Sequence, residues 1–253
     1  MMNNEQLVNF NYRGKKIYAV HNHVEKGDSP GVIFLHGLAG DRVDSRRIFV
    51  KLARRLQNLG YPSIRFDIIG TGISEGNFHD ITLESWYEQV KFLVNEFSNG
   101  IFRNRQIILV AFSEAAKIAI KVAQNSAQIK GICLCNGIIT DEFWEQDRKI
   151  NRLYKRDNQF VFDMGFGVWV NTKIIKENDK FKVNNKDHIP NIPILALYGE
   201  SDVMTLESRK IFENNNLIKL YIIKGSDHLF TTPEWESQLL LYIENWLLNE
   251  WKF

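Results

Sequence analysis

The 253-residue chain carries 32 basic and 30 acidic residues scattered along its length, a net charge of +2 without any block of one sign. That pattern excludes an electrostatic footprint for nucleic acid or for an anionic membrane surface. With 44% hydrophobic and 25% charged residues the composition is that of a folded chain, far from the disordered regime, and the length suits one α/β domain over residues 1–253.

In chain order, Leu7–Tyr12 and Lys16–Val20 read as two short strands joined at Arg13-Gly14. The apolar run Gly31–Leu35, β-branched and too short for a helix, reads as a buried strand that ends in the loop His36-Gly37-Leu38-Ala39-Gly40. Ile48, Phe49, Leu52 and Leu56 recur at helical spacing within Ser45–Asn58, and Gly60 with Pro62 closes the element. Next come strand Ser63–Phe66, a glycine-rich loop to Phe78, helix Leu83–Phe97, strand Gln106–Phe112, helix Glu114–Gln124 and strand Gly131–Cys135. Strand and helix alternating at these lengths predict a mostly parallel sheet with helices on both faces.

Between Ile139 and Ile189 the alternation breaks into a stretch rich in aromatics, among them Trp144, Tyr154, Phe160, Phe162, Phe166 and Trp169. Linkers carry few aromatics, so about 139–189 is expected to be a small lid, whose rings form either an apolar wall for an acyl or aryl group or a small core of its own. The alternation resumes with strand Ile194–Tyr198, a helix near Leu206–Asn214, strand Lys219–Ile223 and a closing helix from about Glu234 to Leu248.

Ligands of parallel sheets sit at the carboxyl ends of the strands, so the residues just after each strand carry the chemistry. Ala111-Phe112-Ser113-Glu114-Ala115 is a strand-to-helix turn with a serine at its apex, the context of a G-x-S-x-G elbow with both glycines replaced by alanine. A serine hydroxyl needs a base, and His228 meets that need in the loop after strand Lys219–Ile223. Asp202, in Gly199-Glu200-Ser201-Asp202, is placed to orient the imidazole; Asp141, after the preceding strand, is the rival acid. The backbone N–H groups of Leu38 and Glu114 are the expected oxyanion donors. The Glu114 carboxylate reads as a partner for the helix dipole or as a charge felt by His228. His36 reads as a support for its own loop.

Gly70-x-Gly72 lacks the third glycine of a dinucleotide fingerprint, and no Gly-Lys-Ser/Thr occurs, so no cofactor is expected. Cys133 and Cys135, the two cysteines, alternate on one face of a strand and read as core, not as a disulfide or metal site. The amino terminus shows no basic segment followed by an apolar stretch, and no long apolar run occurs, so the expected location is cytoplasmic.

These residues resemble the α/β-hydrolase superfamily, and within it the cinnamoyl/feruloyl esterase and serine aminopeptidase-like branch; they are also similar to hydrolases associated with exosortase systems. The resemblance rests on His36-Gly-Leu-Ala-Gly-Asp-Arg, Ser45-Arg-Arg-Ile-Phe-Val, Arg65-Phe-Asp and Gly70-x-Gly-x-Ser-Glu-Gly, and returns at Ser226-Asp-His-Leu-Phe. It implies the α/β-hydrolase fold and a triad of Ser113, Asp202 and His228. It leaves the substrate open, because fold does not choose chemistry. An ester hydrolase acting on a small acyl substrate is the first expectation. A thioesterase or acyltransferase with the same residues is the second. A degenerate hydrolase kept as a binding protein, motivated by the altered elbow, is the third.

Overall fold

The computed structural model describes residues 4–25, 27–140, 153–164, 168–213 and 218–251. Asp141, Trp144 and Phe166 lie outside them. Among the described residues eight strands form one sheet: β1 (Glu5–Tyr12), β2 (Lys15–Asn22), β3 (Gly31–Leu35), β4 (Ser63–Phe66), β5 (Ile107–Phe112), β6 (Ile129–Cys135), β10 (Ile194–Gly199) and β11 (Ile218–Ile223). Their spatial order is β1-β2-β4-β3-β5-β6-β10-β11. The β1/β2 and β2/β4 pairs are antiparallel and the rest parallel, as the alternation predicts.

The central strands read as continuous apolar runs because both of their faces are covered. On β5, Ile107, Leu109 and Ala111 point into a core shared with helices α2 (Leu83–Asn99) and α3 (Ala115–Gln124). Ile108, Val110 and Phe112 point the other way, toward α1 (Ile48–Asn58) and the closing helix α6 (Pro233–Glu250). Cys133 and Cys135 enter this second core side by side, both thiols free, and burial pushes the Cys133 thiol well above its usual range. None of the described helices is long and apolar enough to cross a membrane.

The helix expected over Ser45–Asn58 starts later. Ser45–Arg47 is a 3-10 turn, with Arg46 at φ 49° and Arg47 at φ 63°, and the α-helix begins at Ile48. The turn aims the Arg46 guanidinium at the far end of the chain, where it donates to the carbonyls of Leu229 at 2.6 Å and Phe230 at 2.5 Å.

In the 139–189 insertion the described residues form a three-stranded antiparallel sheet, β7 (Leu153–Arg156), β8 (Gln159–Asp163) and β9 (Trp169–Asn171), followed by helix α4 (Lys173–Phe181). Its aromatics divide between roles: Tyr154 and Trp169 meet edge to face at 4.6 Å and Phe162 is buried, whereas Phe160 faces outward. Helix α5 (Leu206–Phe212) lies between β10 and β11 in the chain.

A cluster of polar contacts helps tie the first strand to the fold. Glu5 of β1 accepts from Arg54 of α1 at 3.0 and 3.1 Å, from Asn22 at 3.2 Å and from Arg65 at 3.3 Å. The Arg54 guanidinium holds the Glu5 carboxyl at about 2, below its ordinary 4.5. A depressed folded-state value means that this stabilisation is fully present above the unfolded value and fades as pH falls toward 2. Glu5→Gln is therefore expected to lower stability at neutral pH by about 1 kcal/mol, because water screens the half-exposed pair. In urea titrations the difference from the parent should shrink as pH drops through about 2 and vanish only below it.

Candidate active site

The turn after β5 places Ser113 at φ 55°, a left-handed conformation that a non-glycine residue adopts only where its surroundings impose it. Its N–H donates to the Cys135 carbonyl at 3.0 Å, and its own carbonyl accepts from Ile138 at 3.0 Å. Ala111 and Ala115, standing where an elbow has glycines, are both fully buried. The turn forms with two extra methyl groups packed into the core.

Ser113, His228 and Asp202 come together at the carboxyl ends of β5, β11 and β10. The Ser113 Oγ lies 2.9 Å from His228 Nε2, and His228 Nδ1 lies 2.7 Å from Asp202 Oδ2. Asp202 is 2% exposed. Its carboxylate also accepts from the Met204 N–H at 3.1 Å and the Thr205 hydroxyl at 2.9 Å. An ionised carboxylate can only accept, so Nδ1 carries the imidazole proton and donates it to Asp202. The Nε2 lone pair is left to accept the serine O–H. The Phe112 ring packs edge-on against the imidazole at 5.6 Å.

Above the serine lies a cavity of about 670 Å³, within the range of small-molecule sites. Its apolar wall comes from Leu38, Phe112, Ile138, Met164, Met204 and Leu229, and Glu114 lines it beside Ser113 and His228. The Leu38 loop closes on the serine: a Cβ at Gly37 would stand 3.3 Å from that of Ser113. Both residues expected as oxyanion donors thus border the space in front of the serine. His36 is buried under this loop, with Nδ1 2.8 Å from the Gly37 carbonyl and Nε2 accepting from the Ile68 N–H at 3.4 Å. That is the supporting role its position suggests.

The Glu114 side chain is buried, and its Oε1 accepts from the equally buried Lys117 at 2.9 Å. Lys117 reaches on to Asn178 of α4 at 2.6 Å, so the turn carrying Ser113 is joined to the insertion through this pair. Gly70 and Gly72 serve a tight turn. Asp67 accepts from the Arg42 N–H at 2.6 Å and the Ile73 N–H at 2.9 Å, and a Cβ at Gly72 would run into its carboxylate.

Three residues of the site escape sequence reading. Thr205 donates to Asp202, Arg46 holds the loop after His228, and Asn136 bonds to the turns that carry both. Asn136-Gly137 is itself a turn signal, which could have drawn attention to that strand end. Nothing local marks the other two.

Among curated proteins the chain is similar to the palmitoyl-protein thioesterase ABHD10, mitochondrial. The human protein is 32% identical over 75 residues, covering 30% of this chain and 24% of that protein. The cattle protein is 31% identical over 75 residues. The match therefore covers about a quarter of these relatives' length. Among solved structures, Est1E from Butyrivibrio proteoclasticus with ferulic acid bound superposes with a TM-score of 0.79 at 20% identity, over 96% of this chain and 98% of that one. Mouse alpha/beta hydrolase domain-containing protein 10 gives a TM-score of 0.76 at 16% identity, over 97% and 100%. At these identities the likeness establishes the fold. The sequence profile of the alpha/beta hydrolase fold family matches residues 30–158, just over half of the chain, and the chain belongs to that family.

Proposed function

We propose that the protein is a serine hydrolase that cleaves a carboxylic ester through an acyl-enzyme on Ser113, one domain with residues 139–189 as its lid. The observation that carries this reading is the unbroken run from Asp202 through His228 to Ser113, at 2.7 and 2.9 Å, opening onto an apolar cavity. His228 takes the hydroxyl proton as Ser113 Oγ attacks the ester carbonyl carbon. The oxyanion that forms faces the N–H groups of Leu38 and Glu114. As the tetrahedral adduct collapses, His228 gives the proton to the leaving alcohol. A water then enters, loses a proton to His228 and attacks the acyl carbon; the second collapse returns the proton to Ser113 and releases the acid. Asp202 stays ionised throughout, fixing the tautomer and stabilising the imidazolium. The steps call for no cofactor and no nucleic-acid partner, and the cytoplasmic location belongs to the same proposal, tested by cell fractionation.

The second reading, a thioesterase, is favoured by the similarity to curated proteins named palmitoyl-protein thioesterase. The same residues would act in the same roles, with a thiolate leaving. Matched p-nitrophenyl esters and acyl-thioesters of graded chain length separate the two. Hydrolysis of esters at kcat/KM comparable to or above that for thioesters is the expected result. Turnover of thioesters alone replaces the first reading by the second, and turnover of neither sinks both.

A further inference from the structure

We infer that Asn136 is a positioning residue for the triad, an inference that rests on the hydrolase reading above. Asn136 follows the last residue of β6, is fully buried and holds φ at 45°. Its backbone N–H donates to the Leu197 carbonyl at 2.8 Å. Its side-chain oxygen accepts from the N–H of Gly199 at 2.7 Å, at the end of the strand that delivers Asp202. Its side-chain nitrogen donates to the carbonyl of His228 at 2.7 Å and to that of Asp227 at 3.2 Å.

The segment around Asn136 holds the third arm as well. Cys135, immediately before it, accepts from the Ser113 N–H, and Ile138, two residues after it, donates to the Ser113 carbonyl. One short stretch at the end of β6 thereby grips the nucleophile by its backbone and the acid and base turns by a single amide. The residue type follows from these demands. Only a carboxamide of this length offers a donor pair and an acceptor at once, and asparagine tolerates a left-handed backbone better than most side chains. The carbonyl it holds is that of His228 itself, so the amide fixes the backbone from which the imidazole reaches both Ser113 and Asp202. Displacement of a catalytic group by about 1 Å can cost roughly 10²-fold in rate.

The test compares Asn136→Gly with Asn136→Asp. Glycine takes the left-handed backbone without strain and removes the amide. Aspartate keeps the shape and the acceptor for Gly199 but sets an oxygen against the carbonyls of Asp227 and His228. Ser208→Ala is the control for stability alone, since buried Ser208 accepts from Ile139 at 3.0 Å and Thr140 at 3.4 Å beside the same strand end. The readouts are ester kinetics, the rate of fluorophosphonate labelling of Ser113 and the thermal midpoint. Both Asn136 variants are expected to lose about 10²-fold in kcat and in labelling rate with KM within about threefold of the parent. Ser208→Ala should melt earlier with kcat unchanged. Should one Asn136 variant fail to fold, the other decides. A parent that labels, with folded Asn136 variants that label and turn over as fast as it does, overturns the inference and leaves the hydrolase reading standing. A folded parent that neither labels nor turns over removes the hydrolase reading, and this inference with it.

Discussion

Ser113→Ala is expected to lower ester turnover by about 10⁴- to 10⁶-fold while leaving folding and substrate affinity close to those of the parent. The reasoning starts from the backbone. Ser113 sits at φ 55°, and alanine has the same Cβ, so the substitution adds no strain at the turn that serine does not already bear. Its backbone bonds to Cys135 and Ile138 are unaffected. What disappears is the oxygen 2.9 Å from His228 Nε2, and with it the proposed covalent route. The cavity and the oxyanion loop remain, so any residual rate comes from water attacking a bound ester. Initial rates of a p-nitrophenyl ester, with circular dichroism as the folding check, measure the effect. A variant that keeps a tenth or more of the parent activity would remove Ser113 from the chemistry.

Asp202→Asn is expected to cost about 10⁴-fold in kcat with little change in KM, through the imidazole tautomer. Oδ1 of Asp202 accepts from the Met204 N–H at 3.1 Å, a bond that a carboxamide oxygen retains. The amide nitrogen then takes the place of Oδ2 and presents a donor to His228 Nδ1, 2.7 Å away. A ring nitrogen facing a donor must be unprotonated, so the proton moves to Nε2, and the base can no longer accept from Ser113. The imidazolium also loses the negative charge beside it. Asp202 is buried, so the variant side chain stays packed in the same position. Loss of a few-fold only would instead assign the acid role elsewhere, with Asp141 the first residue to test.

The parts of this architecture that sequence reveals are those governed by local pattern. Ile107–Phe112 reads as a buried strand because both of its faces meet a core, which leaves no polar alternation. The proposed site residues Ser113, Asp202 and His228 stand out in the sequence because a parallel sheet delivers its chemistry just past its strands, and of six histidines His228 fits that position best. Other features depend on partners far along the chain. Arg46 and Arg47 depart from the helical backbone in a stretch whose apolar spacing is helical, since the carbonyls that Arg46 reaches are more than 180 residues away. Asn136 looks like an ordinary turn residue until the loops some 60 to 90 residues on are folded around it. Glu114 and Lys117 form a recognisable i, i+3 pair, yet only the packing of α4 shows that they are buried rather than solvated. The short strands of the insertion, Leu-Tyr-Lys-Arg, Gln-Phe-Val-Phe-Asp and Trp-Val-Asn, show no alternation of polar and apolar residues and are too brief to declare themselves.

Intact-mass spectrometry after exposure to a fluorophosphonate examines the heart of the account, that the hydroxyl after β5 is activated by the imidazole and carboxylate beyond it. The parent should gain one adduct that Ser113→Ala does not gain and that Asp202→Asn gains far more slowly. A correctly folded parent that stays unmodified, or an adduct that persists in Ser113→Ala, would contradict it.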